Sequence, residues 1–207
     1  MQRFIGEQNI AHFERLLSEE QPEKSRAFIQ EQLVASKRRL ATLTAASMGV
    51  HSNAQIMRER AFARSAPKMT NKFQWQFEAA AKPLLLIDPN PGLHIVDANT
   101  AYASATMIEP GRVAGEKMFD VFPDNPDEPL ADGVANLFAS LRVVAETGQS
   151  DAMAVQRYDV RNASGVFVER YWQPLNSPVL SGSGNLAFIL HQVIDVTSTY
   201  ASAGRTV

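Results

Sequence analysis

The sequence predicts an α+β fold: a five-stranded antiparallel sheet with helices on one face, preceded by an α-helical hairpin. Three observations predict it. Apolar residues recur at three- and four-residue steps from residue 5 to about 48, the period of an amphipathic helix. Two strand-like runs between residues 83 and 97 lead into helical stretches. Three further strand-like runs close the body, at about 152–161, 166–178 and 184–196, separated by Gly165 and by Ser181-Gly182-Ser183-Gly184.

Residues 1–48 read as the hairpin. Ile10, Phe13, Leu16 and Leu17 mark the first helix, and Pro22 stands where the second would start. Ile29, Leu33, Leu40 and Leu43 lie near one face of that second helix. Two helices this short do not bury their stripes alone. They pack on the rest of the chain or on a second copy. The second copy is expected, because the stripe is continuous and the next segment would hold the hairpin away from the body.

Residues 49–72 read as a basic helical neck, which Pro67 is expected to end. From residue 37 to 72, Lys37, Arg38, Arg39, Arg58, Arg60, Arg64, Lys68 and Lys72 face Glu59 alone, within a chain of net charge −2. Phe62 is the one aromatic among these charges, short of the series of stacking rings that single-strand binders require, so a solvated helix surface is expected and nucleic acid is not.

The body spans 73–197. Residues 73–77 open a short helix, "PLLLID" is a buried strand, "PNPG" a turn, and 93–97 the returning strand. Residues 98–107 are helical in composition. A loop-rich middle ends in a polar run at 124–128, which lacks the spacing of a calcium loop. Leu130, Val134, Leu137, Leu141 and Val144 form the stripe of a longer helix closed by Gly148. Residues 198–207 are a tail.

Composition narrows the chemistry. The 207 residues contain no cysteine, which excludes disulfides, thiolate zinc sites, c-type haem attachment and a cysteine nucleophile. No apolar run approaches the ~18 residues of a membrane span, and the opening "MQRFIGEQN" lacks a signal core, so the cytoplasm is the expected compartment. "GSGNLA" at 182–187 fits a dinucleotide-binding pattern, but that pattern needs a following helix and a strand-like run follows instead. No nucleophile–base grouping or metal-ligand cluster emerges, and no metal is expected.

The segments "LLLIDPNPGLHIVDANTAYASAT", "GEKMFDVFPDNP" and "PVLSGSGNLAFILHQVIDVT", in this order, resemble the PAS domain of bacterial sensor histidine kinases and related signalling regulators. The resemblance covers about residues 73–197. The hairpin is similar to short N-terminal hairpins of some of those regulators. The resemblance implies a non-catalytic sensory module, a homodimer, and a histidine kinase or other regulator as partner. It also implies a small ligand held between sheet and helices. The pocket candidates are Asn99, Tyr102, Met107, Met118, Phe122, Phe138, Leu141, Arg157, Tyr158, Tyr171 and His191. Asp195 and Thr197 would bond nearby backbone groups and fix the direction in which the last strand hands on its signal. Phe13, Leu16, Leu17, Ile29, Leu33 and Leu40 would form the helical interface.

Strand alternation puts Arg157 with Asp159 on one face and Gln156 with Tyr158 on the other. An inward Arg or Tyr would anchor a carboxylate, a phosphate or a ring, whereas outward residues would make cross-strand ion pairs. His191 shares a face with Ile189 and Val193 and would point into the core. Met107, Met118 and Met153 would line an adaptable pocket or fill core gaps. Of the family's cofactors, a flavin bound through cysteine is excluded. Haem of the oxygen-sensing type is disfavoured, because the helix that would supply its axial histidine, here 131–147, has none. A small metabolite or a non-covalent flavin stays open. The alternative is a ligand-free module for protein–protein interaction or dimerisation.

Overall fold

The computed structural model describes residues 1–20, 22–51, 71–109 and 111–203. Most of the basic neck, with Arg58, Arg60, Arg64, Lys68 and Pro67, lies outside them. Helix α1 (Gln2–Ser18) and helix α2 (Glu23–Met48) fold back on each other as the expected hairpin. The position a Cβ would take on Gly6 lies 3.4 Å from Leu40, Glu14 pairs with Lys37 at 2.9 Å, and Arg26 donates to the Leu17 carbonyl at 3.2 Å. Ile29 and Leu33 are buried in α2, while Phe13, Leu16, Leu17 and Leu40 are half-buried.

The hairpin is not held away from the body. The second half of α2 presents small residues, Ala41 and Ala45, and both join the main core of the body together with Val50. Reading the large apolar residues alone missed this stripe, because alanine contributes little to a hydrophobic pattern yet permits close approach. The end of α2 is stitched to the turn between the first two strands. Gly92 donates to the Ala45 carbonyl at 2.8 Å and Val50 donates to the Pro89 carbonyl at 3.1 Å. Gly49 sits at φ +61, and a Cβ there would fall 2.1 Å from the Pro89 oxygen, so only glycine fits.

Helix α3 (Asn71–Glu78) precedes β1 (Leu84–Ile87) and β2 (Ile95–Ala98). Helices α4 (Thr100–Thr106), α5 (Met118–Val121) and α6 (Gly133–Thr147) follow. The chain then forms β3 (Asp151–Ala152), β4 (Gln156–Arg157), β5 (Val160–Arg161), β6 (Phe167–Val168), β7 (Tyr171–Leu180) and β8 (Leu186–Asp195), and α7 (Thr197–Ala203) comes last.

The main sheet is antiparallel in the order β2-β1-β8-β7, with β3 and β4 both pairing β7 as two pieces of a fifth, edge position. Residues of α4, α5 and α6 pack with Leu85, Ile87, Ile189 and Val193 on one face. Helix α3 covers part of the other face, where Phe77 meets Leu84, Leu86 and Phe188. Strand β1 is therefore buried on both sides, which its unbroken "LLLI" reflects.

The expected strand at 152–161 is instead three short pieces. Met153 donates to the Pro174 carbonyl at 3.1 Å, so Pro174 turns its polar side to this edge, and proline has no N–H to return. The register runs from Ala152 opposite Leu175 to Gln156 opposite Trp172, with one more residue on the edge side, so the edge bulges where that donor is missing. Pieces β5 and β6 form a separate two-stranded hairpin around Gly165. The expected tail from 198 begins as helix α7, and the "GSGNLA" run leads into strand β8, which begins at its Leu186, rather than into a helix.

Candidate functional site

A cavity of ≈ 40 Å³ lies between the inner face of the sheet and the helices, room for about three waters. Helix α4 contributes Tyr102 and Thr106, α5 and its exit contribute Met118 and Phe122, and the start of α6 contributes Gly133 and Leu137. Trp172 and Pro174 of β7 and His191 and Val193 of β8 form the floor. Met153, Gln156, Tyr158 and Val160 close the edge. None of these lining residues is charged.

Alternation along β8 turns His191 inward with Ile189 and Val193, and it is 4% exposed. Its Nδ1 lies 2.7 Å from Oδ1 of Asn176, its direct cross-strand partner on β7. Asn176 Nδ2 donates to Ser140 Oγ of α6 at 2.7 Å, and Ser140 donates to the Asp151 carboxylate. A carboxylate only accepts, so the order of donors along this chain is fixed. The hydroxyl proton goes to Asp151, the Asn176 amide nitrogen goes to Ser140, and the Asn176 oxygen takes the Nδ1 proton of His191. Burial pushes the His191 pKa down to about 4. At neutral pH its Nε2 is therefore a bare acceptor.

Tyr102 is 3% exposed, and its ring meets Phe122 and His191 edge-on, each at 6.0 Å between centroids. Burial raises its pKa, so its hydroxyl keeps the proton. Among the described residues that hydroxyl has no hydrogen-bond partner. Tyr158 donates its hydroxyl to the Phe122 carbonyl, and its own carbonyl accepts from Trp172 Nε1 at 2.8 Å. The Tyr158 ring lies where a Cβ of Gly133 would fall, 2.2 Å from that position.

One wall of the cavity continues into the hairpin contact. Two residues beyond Phe122, Asp124 is buried. Its Oδ1 accepts from the Val134 N–H at the start of α6 at 3.0 Å, and its Oδ2 lies 2.8 Å from Arg38 Nε of α2. Arg38 also donates to the Ala131 carbonyl. Desolvation raises the Asp124 pKa despite both the Val134 bond and Arg38. Sequence reading placed Asp124 in a polar loop. The helix start beside it was the missed signal.

Of the pocket candidates, the fold brings Tyr102, Met118, Phe122, Tyr158 and His191 together. Asn99 is buried for another purpose. Its Oδ1 accepts from Leu84 and Tyr102 N–H, and its Nδ2 reaches the carbonyls of Phe77, Ala80 and Lys82. Met107 ends α4 in a left-handed conformation and packs on the core outside the cavity lining. Phe138 and Leu141 lie deeper, on turns of α6 beyond the cavity. Arg157 faces solvent, 2.9 Å from Glu128 and 3.2 Å from Asp159, with Glu169 at 3.3 Å, so the outward alternative holds there. Tyr171 stacks on Tyr200 of α7 at 5.0 Å, away from the cavity. Thr106, Gly133 and Leu137 were missed. Leu137 belongs to the apolar stripe of its helix, which marks it as core but not as cavity wall, and no local pattern marks Thr106 or Gly133.

At the exit of β8, Asp195 Oδ1 accepts from the Thr197 N–H at 2.9 Å, and Thr197 Oγ1 accepts from the Tyr171 N–H at 3.0 Å. The two side chains tie the start of α7 to the start of β7. Flavin and haem do not fit the cavity. Pockets for ligands of that class run from about 300 Å³ upward, and the lining has no cation for a flavin phosphate. Among the described residues no group of acids and histidines is placed to hold a metal, and no helix is long and apolar enough to cross a membrane.

A family model described as the PAS fold matches residues 77–201. No curated protein matches the chain. Among solved structures, the PAS domain of a protein from Colwellia psychrerythraea aligns at 11% identity, covering 69% of this chain and 98% of that one, with a TM-score of 0.46. The PAS domain of nitrogen regulation protein NR(II) from Vibrio parahaemolyticus aligns at 15% identity over 62% of this chain and 100% of that one, TM-score 0.43. The Rhodobacter sphaeroides LOV protein aligns at 16% over 64% and 72%, TM-score 0.48.

Proposed function

This chain belongs to the PAS fold family, and on that premise we propose that it is a non-catalytic sensory module that binds a small ligand in the cavity and passes the change to its helical hairpin. The observation that carries this reading is the continuity from Tyr158 and Phe122 in the cavity wall, through Asp124 at the start of α6, to Arg38 on α2. A guest that moves Tyr158 or Phe122 shifts the carboxylate that holds the hairpin. The hairpin then changes its docking by population shift between two packings. The working form is a cytoplasmic homodimer that engages a histidine kinase or a related regulator, with Asp195 and Thr197 setting a second exit through α7.

Hydrogen exchange on the full chain tests this. A compound that raises the melting temperature in a metabolite screen is expected to change exchange in α2 around residue 38 as well as in α6. Binding that leaves α2 unchanged overturns the relay, and a broad screen without a single stabilising compound overturns ligand sensing. The small size of the cavity favours a second reading, a ligand-free docking module, which that last outcome would support.

A further inference from the structure

The cavity wall states what kind of molecule it accepts. Two polar groups on it are uncommitted. His191 has its Nδ1 bound to Asn176, which leaves Nε2 as a lone-pair acceptor. Tyr102 has a hydroxyl without a partner among the described residues, although the residue is 97% buried by its 3% exposure. Both line the same small space. Polar groups of buried residues are ordinarily paired, so an acceptor and a donor left open on one cavity wall mark a place for a complementary molecule.

The charge of that molecule follows from what is missing and what is near. The lining contains no Lys or Arg to balance an anion. The N–H of Val134 at the start of α6, which would otherwise attract one, is already taken by the buried Asp124 carboxylate. An unbalanced cation would lose its hydration against walls that are mostly apolar. The ≈ 40 Å³ of space limits the guest to a few non-hydrogen atoms.

We propose that the cavity binds a small uncharged molecule carrying a primary amide or hydroxyl, which donates to His191 Nε2 and accepts from Tyr102 Oη. The proposal rests on the ligand-sensing reading above and names its ligand class. A primary amide meets both groups with its N–H and its carbonyl. An alcohol meets either one or both. A carboxylate meets only Tyr102 and sets its charge against the bare lone pair of His191.

Acetamide and acetate test this, being nearly the same shape and differing in charge and donor. Xenon reports separately whether the cavity accepts any guest. The full chain is titrated with each, observing the methyl signals of Met118 and Met153 and the ¹⁵N signal of His191. Acetamide is expected to give a saturable shift of all three, with acetate at least tenfold weaker. Tyr102→Phe is expected to weaken acetamide roughly fivefold and to leave xenon unchanged. His191→Gln is a second variant, and it should abolish the preference for acetamide over acetate. Equal or tighter binding of acetate overturns the proposal, as does a xenon response without an acetamide response. In both of those cases the cavity still takes a guest and the sensory reading stands. If neither xenon nor acetamide shifts the methyl signals, the cavity takes no guest, and the sensory reading and the proposal fall together.

Discussion

His191 sits in an uncharged wall with one ring nitrogen committed, and its neutrality has a consequence for stability. Between 6.5, the ordinary histidine value, and about 4 in the fold, the unfolded chain binds a proton that the folded chain refuses. Stability therefore rises with pH across that window and is lost as pH falls through it, by about 3 kcal/mol when complete. Urea midpoints at pH 7 and pH 4.5 should fall further for the wild-type protein than for His191→Gln. Protonation of His191 near pH 6, seen in its ring ¹⁵N shift, would contradict this. Gly133 predicts a second residue-scale effect. Gly133→Ala ordinarily helps a helix by about 1 kcal/mol. Here the added methyl meets the Tyr158 ring, so the variant should lose about 1–3 kcal/mol in chemical denaturation and should shift Tyr158.

At the scale of elements, Asn99 and Arg38 each join parts that sequence order leaves separate. Asn99 closes the end of α3, the start of β1 and the start of α4 with five hydrogen bonds. Asn99→Ala should cost about 2–4 kcal/mol, and Asn99→Asp should be no better, because it turns a carboxylate oxygen toward three carbonyls. Calorimetric melting of both variants checks it. Arg38→Met leaves the Asp124 carboxylate buried without its cation. Amide exchange along α2 should then accelerate at least tenfold while β1 and β8 stay protected, and equal protection throughout would mean that Arg38 does not hold the hairpin.

The elements themselves were largely legible from residue patterns. The "LLLI" run, the stripe from Leu130 to Val144, and the glycine-serine turn before β8 each carry their own period or turn chemistry. The docking of α2 was not legible, because it depends on Ala41 and Ala45, whose smallness matters only against a particular surface. The break between β3 and β4 was also hidden, since its cause is a proline on the neighbouring strand. Within the cavity, strand alternation found His191 and Tyr158. Arg157, one residue from Tyr158, went to solvent by the same alternation. Gly133 and Thr106 had no local mark, because their role is set by what packs opposite them.

For the molecule as a whole, the sheet separates two apolar regions, the larger one under α4, α5 and α6 and the smaller one under α3. The cavity lies in the larger one, and among the described residues that is where α2 enters. The sheet of the body and the helical hairpin are thus parts of one interior. Tyr171 and Tyr200, stacked where β7 begins and α7 departs, mark a second link between the sheet and a flanking helix. Val50 shows what the first link entails. It is 0% exposed, and it belongs to the core although it precedes the body by more than twenty residues. A shortened protein beginning at residue 73 would lose Val50, Ala41 and Ala45 together and leave an open apolar seam beside the β1–β2 turn. Such a fragment should melt earlier and aggregate at concentrations the whole chain tolerates, so the smallest unit that folds well begins inside α2, ahead of the segment that the family pattern spans.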